Sequence, residues 1–441
     1  MVKLRLEGAK AGATELKGAL QMRARRLLVI AVAVALTGLT ALVASAATRS
    51  AEKGGGWVYT LSNDPGHNAV VAVSYGKNGN LLPESTRSFP TGGKGEKFVH
   101  GGSAGTFAGD HQVTMSPDGR FLLAVNGGSN TIAVFQVNHH TGALTPVQGS
   151  PFNSGGENPI SIDVSGNLVV VANHGLIPGQ KPPGNGNLTS FKFSSSGRLT
   201  KISTVSAPGG PIESAISPNG RVVFSSDFFA FALQVLHMSA SGKLSNGPGG
   251  VFQFPKAVTQ GRQAPPVLPP PAINLPFGVG VNPNHPYVYY AAAVAERLAV
   301  YKYSNNGAMT FVKAVDNSPN LATCWLWLTP DGRFMYANNT GSKTVAAWSV
   351  SASGTTLKRL QVSPLEKYGV PTNLTLAPQG NALFTLVVHD DADVPQSKLA
   401  DGNFIESYRV GKDHTLSRGD VAPLPVFFSD LPAGLIAVAK S

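Results

Sequence analysis

Residues 111–145, HQVTMSPDGRFLLAVNGGSNTIAVFQVNHHTGALT, hold one complete structural unit. A short apolar strand (HQVTM) runs into Ser-Pro-Asp-Gly at 116–119, and a second apolar strand, 120–126, ends in Asn126. An alternating strand at 131–137 then leads to a second glycine turn at 139–144. Period-two alternation marks a half-buried strand. Gly119 and Gly142 supply the positive φ that a tight reversal needs.

The unit recurs along the chain. Its second strand returns at 58–63, 168–173, 222–227, 287–292, 334–339 and 382–387. The turn before it returns as SPNG (217–220), NPNH (282–285), TPDG (329–332) and APQG (377–380), with VSGN (164–167) a degenerate copy. Seven units of about 45–65 residues, each with four strand-sized segments, predict an all-β fold: a seven-bladed β-propeller of four-stranded blades.

The first unit lacks a strand before its turn, because Trp57 opens directly on the second strand. Residues 433–438 (AGLIAV) have no unit of their own. They are predicted to be the innermost strand of blade one, closing the ring and covering a free sheet edge. The propeller thus spans 57–441. Residues 1–46 read as an N-terminal extension and signal peptide: Arg23, Arg25 and Arg26 precede an apolar run at 27–43, and Ala44-Ser45-Ala46 offers a cleavage site. An uncleaved anchor is the competing reading, the only case in which a membrane would be a partner. Met22 is an alternative start. The expected location is secreted or extracytoplasmic, in a periplasm or at the cell surface.

The net charge of +11 includes +5 from residues 1–46, and the remaining +6 is spread without a basic stripe. No nucleic-acid partner is expected. Cys324 is the only cysteine, which excludes an intramolecular disulfide and a thiolate cluster. It reads as a buried small apolar residue. The chain is expected to act as a monomer on a small-molecule ligand or substrate, with no cofactor.

In a four-stranded meander the SPDG-type and Gly-x-Leu turns share one face of the disc. The other face receives the long segments 89–110, 174–187, 255–276 and 389–403. Long loops on a rigid scaffold predict a binding face there. His389, Asp390, Asp391, Asp393 and Asp401 cluster on one of these loops; Asp390, Asp391 and Asp393 are weak calcium candidates, but a solvated acidic loop is the ordinary reading and no metal is expected.

The turn-strand signature, best seen in SPDGRFLLAVN, resembles the lactonase-type seven-bladed propellers, a family that includes 6-phosphogluconolactonases and carboxymuconate cyclases. The resemblance covers 57–441. It implies a channel site built on inner strands: a histidine five residues before one turn serine, an arginine at the same offset in the next blade, and a glutamate after that blade's second strand. This chain has Ile212, Phe277 and Ala293 at those positions. The family's catalytic set is therefore not carried over.

At the position of His111, five residues before its turn, the other blades place Asn158, Ile212, Phe277, Cys324 and Thr372 on one channel level. The next level holds Gln112, Pro159, Glu213, Gly278, Trp325 and Asn373. His111 and Glu213 are the catalytic candidates, an acid/base pair if they meet in one cavity. His111 capping an inner strand is the structural alternative. Gln112, Asn158, Trp325 and Asn373 are the candidate ligand-binding residues. Trp325 and Trp327 form either a stacking platform or blade packing. Two functions stay open: a divergent hydrolase or cyclase acting on a lactone or carboxylated small molecule, and a non-catalytic propeller binding a small molecule, glycan or protein on its loop-rich face.

Overall fold

The computed structural model describes residues 55–96, 109–175, 185–266, 269–366, 369–388, 402–426 and 430–441. Residues 1–46, read from the sequence as an extension and signal peptide, and His389 to Asp401 lie outside these residues. Seven antiparallel sheets form the blades, each with four strands in meander order, and blade two carries a fifth short strand, Phe152–Asn153. The innermost strands of blades two to seven are Val113–Met115, Pro159–Ser165, Ala215–Ile216, Pro276–Val281, Thr323–Leu328 and Val370–Leu376.

Blade one is completed by Ala433–Ala439, which pairs antiparallel with Gly56–Leu61. The predicted closure is observed, with Trp57 opposite Val438 and Tyr59 opposite Ile436. A bulge sits between Tyr59 and Leu61. Beside it Gly434 adopts φ +73°, and a Cβ there would lie 2.7 Å from the Val113 nitrogen. Only glycine fits this seam without strain. His139 of blade two reinforces it, its ring nitrogens lying 3.1 Å from the Ala439 carbonyl and 2.7 Å from that of Gly119.

The repeated motif has a structural cause at each point. Ser116 Oγ donates to Asp118 and accepts the Phe121 N–H, and Gly119 takes φ +71°. The strand-ending asparagines are fully buried and tie neighbouring segments together. Asn126 Oδ1 accepts from Asn68 Nδ2 and Thr91 Oγ1; Asn339 Oδ1 accepts from Asn317 Nδ2 and Thr323 Oγ1. A buried amide without such partners would cost roughly 1–3 kcal/mol.

The degenerate turn behaves differently. In blade two Met115 pairs with Leu122, leaving a six-residue connection. In blade three the equivalent pair, Val164 with Val169, leaves a four-residue connection, within which Ser165 and Leu168 also pair. This hairpin is shorter and moves the inner strand's register by two residues. Ile160, not Asn158, therefore occupies the level of His111, and Asp163 joins the level of Thr114, since each pairs with the third residue of its second strand (Val170 and Leu123).

Candidate functional site

His111 Nδ1 lies 3.1 Å from Glu213 Oε1. The inner strand of blade two begins just after His111, and that of blade four just after Glu213, so the ring brings together two residues 102 positions apart. The same carboxylate oxygen accepts the Ser161 hydroxyl at 3.0 Å and the Ser214 N–H at 2.9 Å. Glu213 is 1% exposed, whereas the His111 side chain retains 23% exposure. Glu213 thus holds one edge of the imidazole and leaves the other, Nε2, to the cavity.

Burial alone would lower the His111 pKa, but the Glu213 carboxylate, with Asp110 and Asp163 nearby, raises it to about 10. At neutral pH His111 is an imidazolium, a donor rather than a base. Burial and the adjacent Glu213 charge hold Asp110 well above the ordinary carboxylate range.

His111 lines a cavity of about 290 Å³. Its wall is formed at one level by Asp163, Ala215, Gly280 and Trp327, which pair with equivalent positions of their second strands. Ala215 in blade four is small, and Gly280 in blade five makes room for Leu328, whose Cδ1 would lie 2.5 Å from a Cβ there. Trp327 closes one side, its ring 6.4 Å from that of His111. Asp163 closes the other. Its oxygens accept the Ile216 and Val164 N–H groups, both at 2.7 Å. Burial pushes Asp163 up to about 6, against the opposing pull of His111 and these two N–H groups.

The cavity runs from His111 towards the short turns, where Pro283, Thr329 and Pro330 line it. The sequence pointed to the opposite, loop-bearing face. On that side of His111 the backbone of Gly109 and Asp110 crosses the channel. Gly109 O accepts from Gln112 Nε2 at 2.6 Å, Trp325 Nε1 at 2.9 Å and Asn373 Nδ2 at 3.1 Å. Three of the four expected ligand-binding residues thus spend polar groups on the chain itself. The fourth, Asn158, lies outside the inner strand and donates to Glu96 Oε1 at 3.0 Å. None of the four lines this cavity.

Cys324 is buried as expected, and burial pushes its thiol up to about 12, so it is no nucleophile near neutrality. Ile212, Phe277 and Ala293 pack in one hydrophobic cluster. Where the family resemblance implied histidine, arginine and glutamate, this chain has core. Asp163 was missed because the count assumed equal turns. Asp110 was missed because only the turn-register positions were read, although it stands directly before His111.

The model of the family described as "Lactonase, 7-bladed beta-propeller" matches residues 67–175 and 278–394. The chain belongs to this family. Among solved structures, this lactonase-family chain is similar to the periplasmic gluconolactonase of Pseudomonas aeruginosa, with 15% identity, TM-score 0.65, and coverage of 88% of this chain and 99% of that one. It is also similar to putative 6-phosphogluconolactonases of Bacteroides fragilis (16% identity, TM-score 0.60, 87% and 98% covered) and Bacteroides uniformis (20%, 0.55, 68% and 81%). At these identities the likeness establishes the shared propeller.

Proposed function

We propose that the chain is a hydrolase that opens a lactone ring in the cavity between His111, Asp163 and Trp327. The supporting observation is the His111–Glu213 contact beside a carboxylate, Asp163, poised near neutrality on the same cavity. Above pH 6 the Asp163 carboxylate takes a proton from water as the water oxygen bonds to the lactone carbonyl carbon. The charge that develops on the carbonyl oxygen meets the His111 N–H, fixed by Glu213. Collapse breaks the ring C–O bond, and Asp163 returns its proton to the departing alkoxide. The products are a hydroxyl and a carboxylic acid on one molecule, and the acid releases its proton to solvent to leave a carboxylate.

We also propose export, on the strength of Arg23, Arg25 and Arg26 ahead of the apolar run and Ala44-Ser45-Ala46. Cell fractionation with mass spectrometry of the mature N-terminus tests it; an intact leader in the cytoplasm refutes it. The hydrolase reading is tested by base consumption on a panel of lactones with His111→Ala as control. Activity in the parent that is lost in the variant is expected. A parent inactive on every member refutes the reading.

A further inference from the structure

The charge and polarity of the cavity wall select the substrate. Among the described residues, the lining side chains with polar groups besides His111 are Asp163, Thr329 and Trp327, the last with one indole N–H. Thr329 is already engaged, since its hydroxyl donates to Asp331 and accepts the Phe334 N–H. The other lining side chains are apolar, among them Leu326, Val279 and Leu328, with Pro283 and Pro330 at the turns, and further polar surface comes from the backbone. Among the described lining residues the one cation, His111, is paired with Glu213, and Asp163 adds a second carboxylate. A phosphate or carboxylate on the substrate would be buried beside Asp163 with no counter-ion of its own, and a buried unpaired charge is strongly disfavoured. A hydroxyl-rich sugar ring would find few side-chain partners here, and each hydroxyl desolvated without one carries a cost.

Resting on the hydrolase reading, we infer that the substrate is an uncharged lactone with an apolar substituent, whose ring meets His111 and Asp163 and whose substituent lies along Trp327. Sugar-phosphate lactones are excluded by the same wall. The reaction also favours release, because hydrolysis creates a carboxylate next to Asp163.

Initial rates at a pH between 6 and 10 on an alkyl δ-lactone, glucono-δ-lactone and 6-phosphoglucono-δ-lactone test the inference. The alkyl lactone is expected to exceed the phosphorylated one by about 100-fold in kcat/KM. Equal or faster turnover of the phosphorylated lactone overturns it while leaving the hydrolase intact. A second variant, Pro330→Lys at the exposed rim, adds a cation outside the catalytic groups. It is expected to raise kcat/KM on the phosphorylated lactone about 5-fold or more relative to the alkyl lactone. No change on either overturns the electrostatic account. Calorimetric binding of an alkyl δ-lactam against glutarate reads the preference without turnover. Tighter lactam binding supports the inference even if no lactone is hydrolysed; equal binding, tighter glutarate or no binding of either overturns it.

Discussion

The 3.1 Å contact between His111 Nδ1 and Glu213 Oε1 joins blade two to blade four across the channel and fixes the charge of the imidazole. Replacing Glu213 by Gln keeps the shape and removes the charge that holds His111 up at about 10. The alkaline limb of the pH–rate profile is therefore expected to move down from about 10 towards the ordinary histidine range. kcat should fall by about 10²-fold or more, the usual scale for losing a positioned proton donor. Rates measured across the alkaline range check both effects; an unmoved alkaline limb removes Glu213 from the mechanism.

Asp163 predicts the acid limb. Its carboxyl titrates near 6, so activity should rise with pH through 6 and level off above it. Asp163→Asn should lower kcat by about 10²–10⁴-fold and abolish that limb. Stability carries the opposite signature. A folded-state pKa raised above the unfolded value means that the native state holds the proton more tightly. The contribution is complete below the unfolded value of 3.8 and is lost as pH rises through about 6. The melting temperature of the parent relative to Asp163→Asn should therefore decline from pH 4 to above 6, and a flat difference would show that Asp163 is not strained by burial.

The sequence made much of this legible, for a physical reason. Repeat, turn and strand are local properties, so SPDG turns, terminal asparagines and the orphan strand at 433–438 identified seven blades and their closure. The meeting of His111 and Glu213 was also accessible, because both follow the common turn register. Asp163 was not, since a hairpin two residues shorter looks like its neighbours until the strands are paired. The roles of Gln112, Trp325 and Asn373 were hidden for another reason. Their partner, the Gly109 carbonyl, is backbone, and side-chain patterns do not reveal which backbone crosses a channel.

Trp327 is the specificity surface. Trp327→Ala removes the apolar wall beside His111 without touching the His111–Glu213 pair. KM for an alkyl lactone should rise by about tenfold, since losing an aromatic contact of this kind costs on the order of 1–2 kcal/mol. kcat should change much less, because the contact is shared by ground and transition states. Steady-state kinetics separates the two constants. An equal loss in kcat with KM unchanged would place Trp327 in the chemistry instead.

Ring closure depends on a seam that tolerates few changes. Gly434 needs φ +73° and leaves no room for a Cβ, and its N–H donates to Asn373 Oδ1 at 2.8 Å. Asn373 in turn donates to the Gly109 and Asp110 carbonyls, which fill the channel behind His111. Strain at the seam therefore passes to the site through one side chain. Gly434→Val should cost about 1–3 kcal/mol from backbone conformation alone, with the contact at Val113 adding to it. Deleting 433–441 should do more, because blade one loses its inner strand and exposes the edge of Gly56–Leu61. Thermal melts should rank parent, point variant and truncation in that order. A truncation that melts with the parent would mean that the ring is held elsewhere.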